Sequence, residues 1–394
     1  MEDIYILSGA RTAIGSFGGS LAKFRPADLG TIVAKEAIAR SGVGADRIQQ
    51  VAVGSVVPTQ PTDSYLARVI SINSGLPVSS VAMGVNRLCG SGLQAIVSVA
   101  QAIKLGECDF AIGAGAESMS NAPHMTSGAR FGTRMGSIEL QDSMLGALHD
   151  PFEGIHMGVT AENIAVECSI SREDQDALAV ASHQRAAKAT QEGYFKEQIV
   201  PVEIKSRKGT TVFDTDEHFR SDATLEAMAA LKPVFQKDGT VTAGNASGLN
   251  DGGAAVVLAS GKVVKDEGLT PMAQIMGWSH GGVRPEVMGL GPVEAVPVAL
   301  ERAGLTLDQM DVIESNEAFA AQACGVAKTL GFDPDKTNPN GSGISLGHPI
   351  GATGAILTIK CMYELQRTGG TYGLITMCIG GGQGIAMVIR NCAK

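Results

Sequence analysis

A chain of 394 residues exceeds the roughly 250–300 at which one hydrophobic core stops growing, so two or more lobes are expected. Hydrophobic residues make up 44% and charged residues 18%, the balance of an ordinary globular protein and not of a disordered chain. With 40 acidic against 31 basic residues and a net charge of -9, the composition argues against a general nucleic-acid or anionic-membrane surface, since either needs a basic footprint.

The opening MEDIYILSGARTAIG has neither the charged and then apolar regions of a secretory signal nor the Arg- and Ser-rich character of a transit peptide, which predicts a cytoplasmic protein. Residues 4–9 read as a strand, 27–41 as a helix and 51–57 as a second strand. After the apolar segment VAMGVNRL comes a helix over 91–105, with Leu93, Ile96, Val97, Ala100 and Ile103 at helical spacing and few charges on its other faces, as expected of a buried helix. Strand-like 109–114 follows. Residues 119–249 are richer in charge, His and Met and read as an inserted loop domain carrying substrate recognition. The apolar DGGAAVVLAS then returns to the first half. The same order recurs in strand-like 272–276, helix 292–303, strand 311–315, a glycine-rich loop into a helix over 351–366, and strand 372–378. The expectation is an α/β protein of two related halves, with a largely buried sheet: 1–118 plus 250–270, a loop domain at 119–249, and 271–394. No run of about 18 apolar residues occurs, and the terminal NCAK is neither a prenylation box nor SKL, so no membrane anchor is expected. Seven cysteines without a C-x-x-C pair predict reduced thiols and neither disulfides nor a zinc site. Fifty glycines imply many tight turns.

Several residues stand out chemically. Cys89 lies between an apolar segment and the helix opening GSGLQAI, a strand–turn–helix arrangement in which a helix N-terminus can stabilise a thiolate; the alternative is a simply buried cysteine. His348 sits in NGSGISLGHPIGATGA with no charged residue from Asn340 to Ile359, a setting for a base near neutral pH. Cys378 ends the strand YGLITM and precedes IGGGQG, whose apolar sequel IAMVI is strand-like, so a dinucleotide site is rejected. Asn316 is either a helix N-cap or a donor to an oxyanion. His156 carries a similar ambiguity, and Met157 reads as packing. A competing motif, Gly277-Trp-Ser-His-Gly281, fits G-x-S-x-G with His348 downstream and would make Ser279 an esterase nucleophile. The glycines and Pro285 that follow it do not suit the required helix.

Together RTAIGSFGGSL, VNRLCGSGLQAI, GAGAESMS, HMGVTAEN, VTAGNASGLNDG, NEAFAAQA, NGSGISLGHPIGATGA and CIGGGQG resemble the thiolase family over nearly the whole chain, in particular its biosynthetic acetyl-CoA acetyltransferases. The resemblance implies two similar βαβαβαββ halves in five α-β-α-β-α layers with an inserted loop domain, assembled as a homotetramer of paired dimers. It implies that Cys89 accepts an acyl group, that His348 activates this thiol and that Cys378 is the second acid/base. Asn316 would hold a water that forms one oxyanion hole with His348, and the N–H groups of Cys89 and Gly380 the other. His156 would lie near the thioester. Arg220, Ser247, Ala243 and Gly248 would contact coenzyme A, and Met157, Leu148, Phe235, Met288, Ala318 and Phe319 would line the pocket. The implied substrates are acetyl-CoA, acetoacetyl-CoA or another short β-ketoacyl-CoA, and free CoA, with no metal and no tightly bound cofactor. The alternatives are a decarboxylating ketoacyl synthase, in which a His or Asn would stand in place of Cys378, and a non-catalytic lipid carrier of thiolase ancestry.

Overall fold

The computed structural model describes residues 2–392; Ala393 and Lys394 of the terminal NCAK lie outside the described residues. The first half runs β1 (Ile4–Thr12), α1 (Pro26–Ser41), β2 (Gln50–Gly54), α2 (Leu66–Asn73), β3 (Val81–Val85), α3 (Ser91–Lys104) and β4 (Phe110–Ser118). The segment that follows carries α4 (Met157–Glu167) and α5 (Arg172–Gln191), after which β5 (Asn250–Ser260) rejoins the half by pairing antiparallel with both β1 and β4. The second half runs β6 (Ala273–Gly282), α6 (Gly291–Ala303), β7 (Val312–Ser315), α7 (Ala320–Leu330), α8 (Thr353–Thr368), β8 (Tyr372–Ile379) and β9 (Gln383–Asn391).

Strand order is β3-β2-β4-β5-β1 in one half and β7-β8-β9-β6 in the other, joined by a short antiparallel contact of Tyr5 and Ile6 with Gln274 and Ala273. The orders superimpose if β7, β8, β9 and β6 stand for β2, β4, β5 and β1, which is the expected duplication with one departure. Among the described residues no strand of the second half matches β3. Its place is marked by a single parallel bridge between Ile313 and Thr337, because Asn338 has a positive φ of 47° and Pro339 has no N–H to give a ladder.

Alternation along the strands builds the layers. Ala254, Val256 and Leu258 of β5 and Ile375 and Met377 of β8 share one core with α3 and α8. Ala255, Val257 and Ala259 face the opposite way onto Val33, Ala34 and Ala37 of α1, while Ala386 and Val388 of β9 meet Ala295, Val296 and Ala299 of α6. The order is therefore outer helix, sheet, α3 with α8, sheet, outer helix. The two central helices begin in close backbone contact. A Cβ on Gly92 would stand 2.9 Å from the Gly351 carbonyl oxygen, and one on Gly354 would run into the Leu93 backbone, so the repeated glycines bring the two helix starts together. Among the described residues no helix is long and apolar enough to cross a membrane.

Candidate active site

Cys89 sits in the turn between β3 and α3, not in the helix. Leu88 just before it adopts φ 46°, one of three non-glycine residues with positive φ among the described residues, a conformation held only where surroundings enforce it. Here Ser91 Oγ donates to the Leu88 carbonyl at 2.6 Å and accepts from Arg87 N–H at 2.9 Å, while Asn86 Oδ1 accepts from Leu88 N–H at 3.1 Å. Burial pushes the Cys89 thiol up to about 11, against the smaller opposing effect of the backbone N–H groups of Gly380 and of Cys89 itself. Gly380 belongs to the turn between β8 and β9 and lies against Leu88, where a Cβ would stand 3.1 Å from Leu88 Cδ1, so this turn closes the site from the second half.

His348 is buried in the loop before α8. Its Nδ1 lies 2.7 Å from Thr353 Oγ1, and that hydroxyl donates its one hydrogen to the Pro349 carbonyl at 2.9 Å. The hydroxyl can then only accept, which assigns the ring proton to Nδ1 and leaves Nε2 as the basic nitrogen. Burial lowers the imidazole to about 4, so it is neutral at physiological pH. Asn316 Nδ2 lies 3.4 Å from Nε2 and 3.5 Å from Nδ1. The N-cap reading of Asn316 is overturned: α7 starts at Ala320 with Phe319 as its cap. His156 does cap a helix, since its Nδ1 accepts from Gly158 N–H at 3.0 Å at the start of α4, and its ring stacks on Phe235 at 4.6 Å.

Cys378, the penultimate residue of β8, is fully buried. Burial, and then the neighbouring Cys89, hold its thiol far above the usual range. It packs in one apolar cluster with Met157, Met288, Ala318 and Phe319, and Phe235 and Ala246 pack against that cluster. Leu148 packs with Cys89 and Leu88 in the adjoining cluster. Ser247 N–H donates to the Ala318 carbonyl at 2.9 Å. Arg220 and Ala243 lie apart from the thiols, on a pocket of about 270 Å³ that also includes His183, His218, Met228, Leu231 and Ala246. Ala246 belongs to both groups and bridges to Phe319, which links the pocket lining to the cluster around Cys378, and Gly248 lies against His218.

The Arg220 loop is anchored on the first half. Arg11, fully buried, makes a two-pronged ion pair with Asp216 at 2.8 and 3.0 Å, and Glu217 accepts from the N–H groups of Ser16 and Ser20. This explains RTAIGSFGGS as an anchor for a distant loop. Sequence reasoning missed Arg11, Thr353, His183 and His218. A threonine five residues beyond His348 in an otherwise apolar glycine-rich loop was the available signal. Ser279 is corrected: it lies inside β6, buried, with its hydroxyl donating to the adjacent His280 carbonyl. No helix follows it to form a nucleophile elbow, and the esterase reading fails.

The thiolase N-terminal domain family matches residues 4–262 and the thiolase C-terminal domain family residues 269–391. The chain is 59% identical to beta-ketothiolase BktB of Cupriavidus necator over 391 residues, 99% of each chain. It is 48% identical to an acetyl-CoA acetyltransferase of Chromobacterium violaceum, covering 99% of this chain and all of that one. The crystal structure of human mitochondrial 3-ketoacyl-CoA thiolase in complex with CoA superimposes with a TM-score of 0.95 at 43% identity, covering 99% of this chain and 98% of that one.

Proposed function

Because the chain belongs to the thiolase family, we propose a division of labour among Cys89, Cys378 and His348. The protein is an acyltransferase that catalyses the reversible Claisen condensation of two acyl-CoA molecules to a short β-ketoacyl-CoA and CoA. The assignment of roles is supported by the surroundings of Cys89: the backbone N–H groups of Gly380 and of Cys89 favour its thiolate, Gly380 lies against Leu88, and Cys378 lies near enough for Cys89 to raise its thiol.

In this reading His348 Nε2 takes the Cys89 proton as the sulfur attacks the acyl carbon of acetyl-CoA. The CoA thiolate leaves and is reprotonated, and the acetyl group stays on Cys89 as a thioester. The Cys89 and Gly380 N–H groups form one oxyanion hole and Asn316 with His348 the other. Cys378 passes its proton to His348 and removes a proton from the methyl of a second acetyl-CoA, whose carbanion attacks the thioester carbonyl and releases Cys89 as a thiolate that the protonated His348 returns to the thiol. In thiolysis Cys378, protonated at rest, gives its proton to the departing carbanion. His156 borders the thioester, Arg220, Ala243, Ser247 and Gly248 hold CoA, and the Met157–Phe319 cluster with Leu148 bounds the acyl chain. The mechanism calls on no metal and no tightly bound cofactor.

The reading includes a cytoplasmic homotetramer in short-chain acyl-CoA metabolism, either breakdown or supply of polyhydroxyalkanoate precursors. Residues 119–249 would give CoA binding and oligomer contacts. Two exposed apolar surfaces support the assembly: the free edge of β3, with Val78, Val81 and Met83, and the segment bearing Phe131, Met135 and Leu140. The test mixes the protein with acetoacetyl-CoA and CoA and follows loss of the ketoacyl enolate absorbance. Cys89→Ala should abolish acyl-enzyme formation, while Cys378→Ala should form it and fail at carbon–carbon chemistry. Equal loss of both steps would contradict the assigned roles.

A further inference from the structure

A glutamate in the interior is expected to have a cationic partner. Glu117, near the end of β4, is fully buried, and its carboxylate is taken up by neutral donors. Oε2 accepts from the N–H groups of Val56 and Gly351, both at 2.9 Å, and Oε1 from Val57 N–H at 3.2 Å and Ser55 Oγ at 3.5 Å. These donors come from two loops. The first continues from Val56, whose carbonyl accepts from Asn86 Nδ2 at 3.2 Å, to Leu88, whose N–H binds Asn86 Oδ1; Leu88 precedes Cys89. The second carries His348 and Thr353 on either side of Gly351.

We propose that Glu117 is the positioning residue that fixes the Cys89 turn against the His348 loop, and so sets the approach of the base to the thiol. This rests on the roles given to Cys89 and His348 above. Glu117 is not an activating group, because when ionised its charge opposes thiolate formation at Cys89. What it supplies is acceptor capacity. Burial pushes the Glu117 carboxyl up to about 7, against the N–H groups of Val56, Val57 and Gly351, which favour its ionised form; once ionised it has lone pairs for all four donors, whereas an amide would turn an N–H group toward a backbone N–H. Even the space is specified, since a Cβ on Gly351 would lie 2.5 Å from Glu117 Oε2.

The test compares Glu117→Gln and Glu117→Asp with the parent enzyme. Cys89 acylation by acetyl-CoA is measured in a single turnover, CoA affinity by titration, and the folded fraction by circular dichroism. Glu117→Gln should slow acylation about 10²-fold, the cost of a displacement of order 1 Å in a reacting pair, with CoA affinity held within about twofold. Glu117→Asp, which keeps both oxygens, should regain about tenfold of that loss. Asn86→Ala, which cuts the same link at its other end, should slow acylation with CoA affinity kept and stands in if Glu117→Gln does not fold. Iodoacetamide alkylation of Cys89 with the base displaced should also slow, and this readout needs no acyl-CoA. Absence of acyl-enzyme in the parent would sink the thiolase roles, with alkylation still testing the clamp. The proposal is overturned by acylation within about threefold of the parent in the folded variant, by parallel loss of acylation and CoA affinity, or by an aspartate variant no better than the glutamine.

Discussion

Replacing Thr353 by valine isolates one hydrogen bond in the site. Valine keeps the shape of threonine but removes the hydroxyl that accepts from His348 Nδ1 at 2.7 Å and donates to the Pro349 carbonyl. A buried N–H left without an acceptor costs about 1–3 kcal/mol. The ring can escape that cost by moving its proton to Nε2, but Nε2 then cannot receive the Cys89 proton. Either way the reactive tautomer is disfavoured by about 1–3 kcal/mol, and since 1.36 kcal/mol is tenfold in rate, acylation should fall by about 5- to 150-fold. Single-turnover acylation of Cys89 by acetyl-CoA reads this directly. CoA affinity should stay unchanged, because Thr353 is absent from the pocket that holds Arg220. An acylation rate within twofold of the parent, in a folded variant, would refute the tautomer assignment.

Three further outcomes follow from the same geometry. Arg11→Ala strips a fully buried carboxylate of its partner and should cost about 3–5 kcal/mol in denaturant unfolding; Arg11→Lys, which cannot reproduce the two-pronged contact, should fold and raise KM for CoA more than it lowers kcat. His348 is held near 4 by burial against an ordinary 6.5, so the unfolded chain binds the proton first. Its contribution to stability is present above pH 6.5 and lost as pH falls toward 4, and His348→Gln should lose about 3 kcal/mol less over that window in unfolding titrations. Cys89, with a thiol near 11, should react slowly with iodoacetamide at neutral pH and about tenfold faster per pH unit until that value; a plateau near pH 7 would contradict it.

The elements that form from local patterns were readable from sequence. The apolar spacing of Leu93, Ile96, Val97 and Ala100 marks α3, and its glycine-flanked start marks the turn that carries Cys89. What escaped depends on partners far along the chain. Residues 51–57 read as one strand, yet β2 ends at Gly54 because the N–H groups of Val56 and Val57 go to Glu117, some sixty residues away, and not to a sheet neighbour. Arg11 looked like part of an opening motif, but its partner Asp216 lies 205 residues on. The G-x-S-x-G match at 277–281 shows the converse error. Spacing alone satisfied the motif, while the strand continues through Ser279 to pair with β9. Asn316 was ambiguous for the same reason, since the true helix start was four residues later.

The resting site holds its reactive groups uncharged, which at first sight is a poor state for a nucleophile. Cys89 near 11 and His348 near 4 lie about seven pH units apart, so passing the proton from sulfur to imidazole in the empty site costs up to about 9–10 kcal/mol. Attraction between the thiolate and imidazolium so formed reduces that figure. A turnover of about 10 per second corresponds to a barrier of about 16 kcal/mol, so the transfer fits beneath it without a standing ion pair. In the proposed roles, the N–H groups of Cys89 and Gly380, which oppose the effect of burial on the Cys89 thiol, act more strongly once charge moves to the substrate oxygen, where no compensating water is needed. Stabilisation is thus concentrated in the transition state and not in the free enzyme, which is the condition for raising the rate of the chemical step. The same logic explains why Cys378 is buried so completely. Burial, the larger cause of its raised thiol, keeps Cys378 protonated at rest, the form that the proposed role in thiolysis requires, since it is then ready to donate to a carbanion.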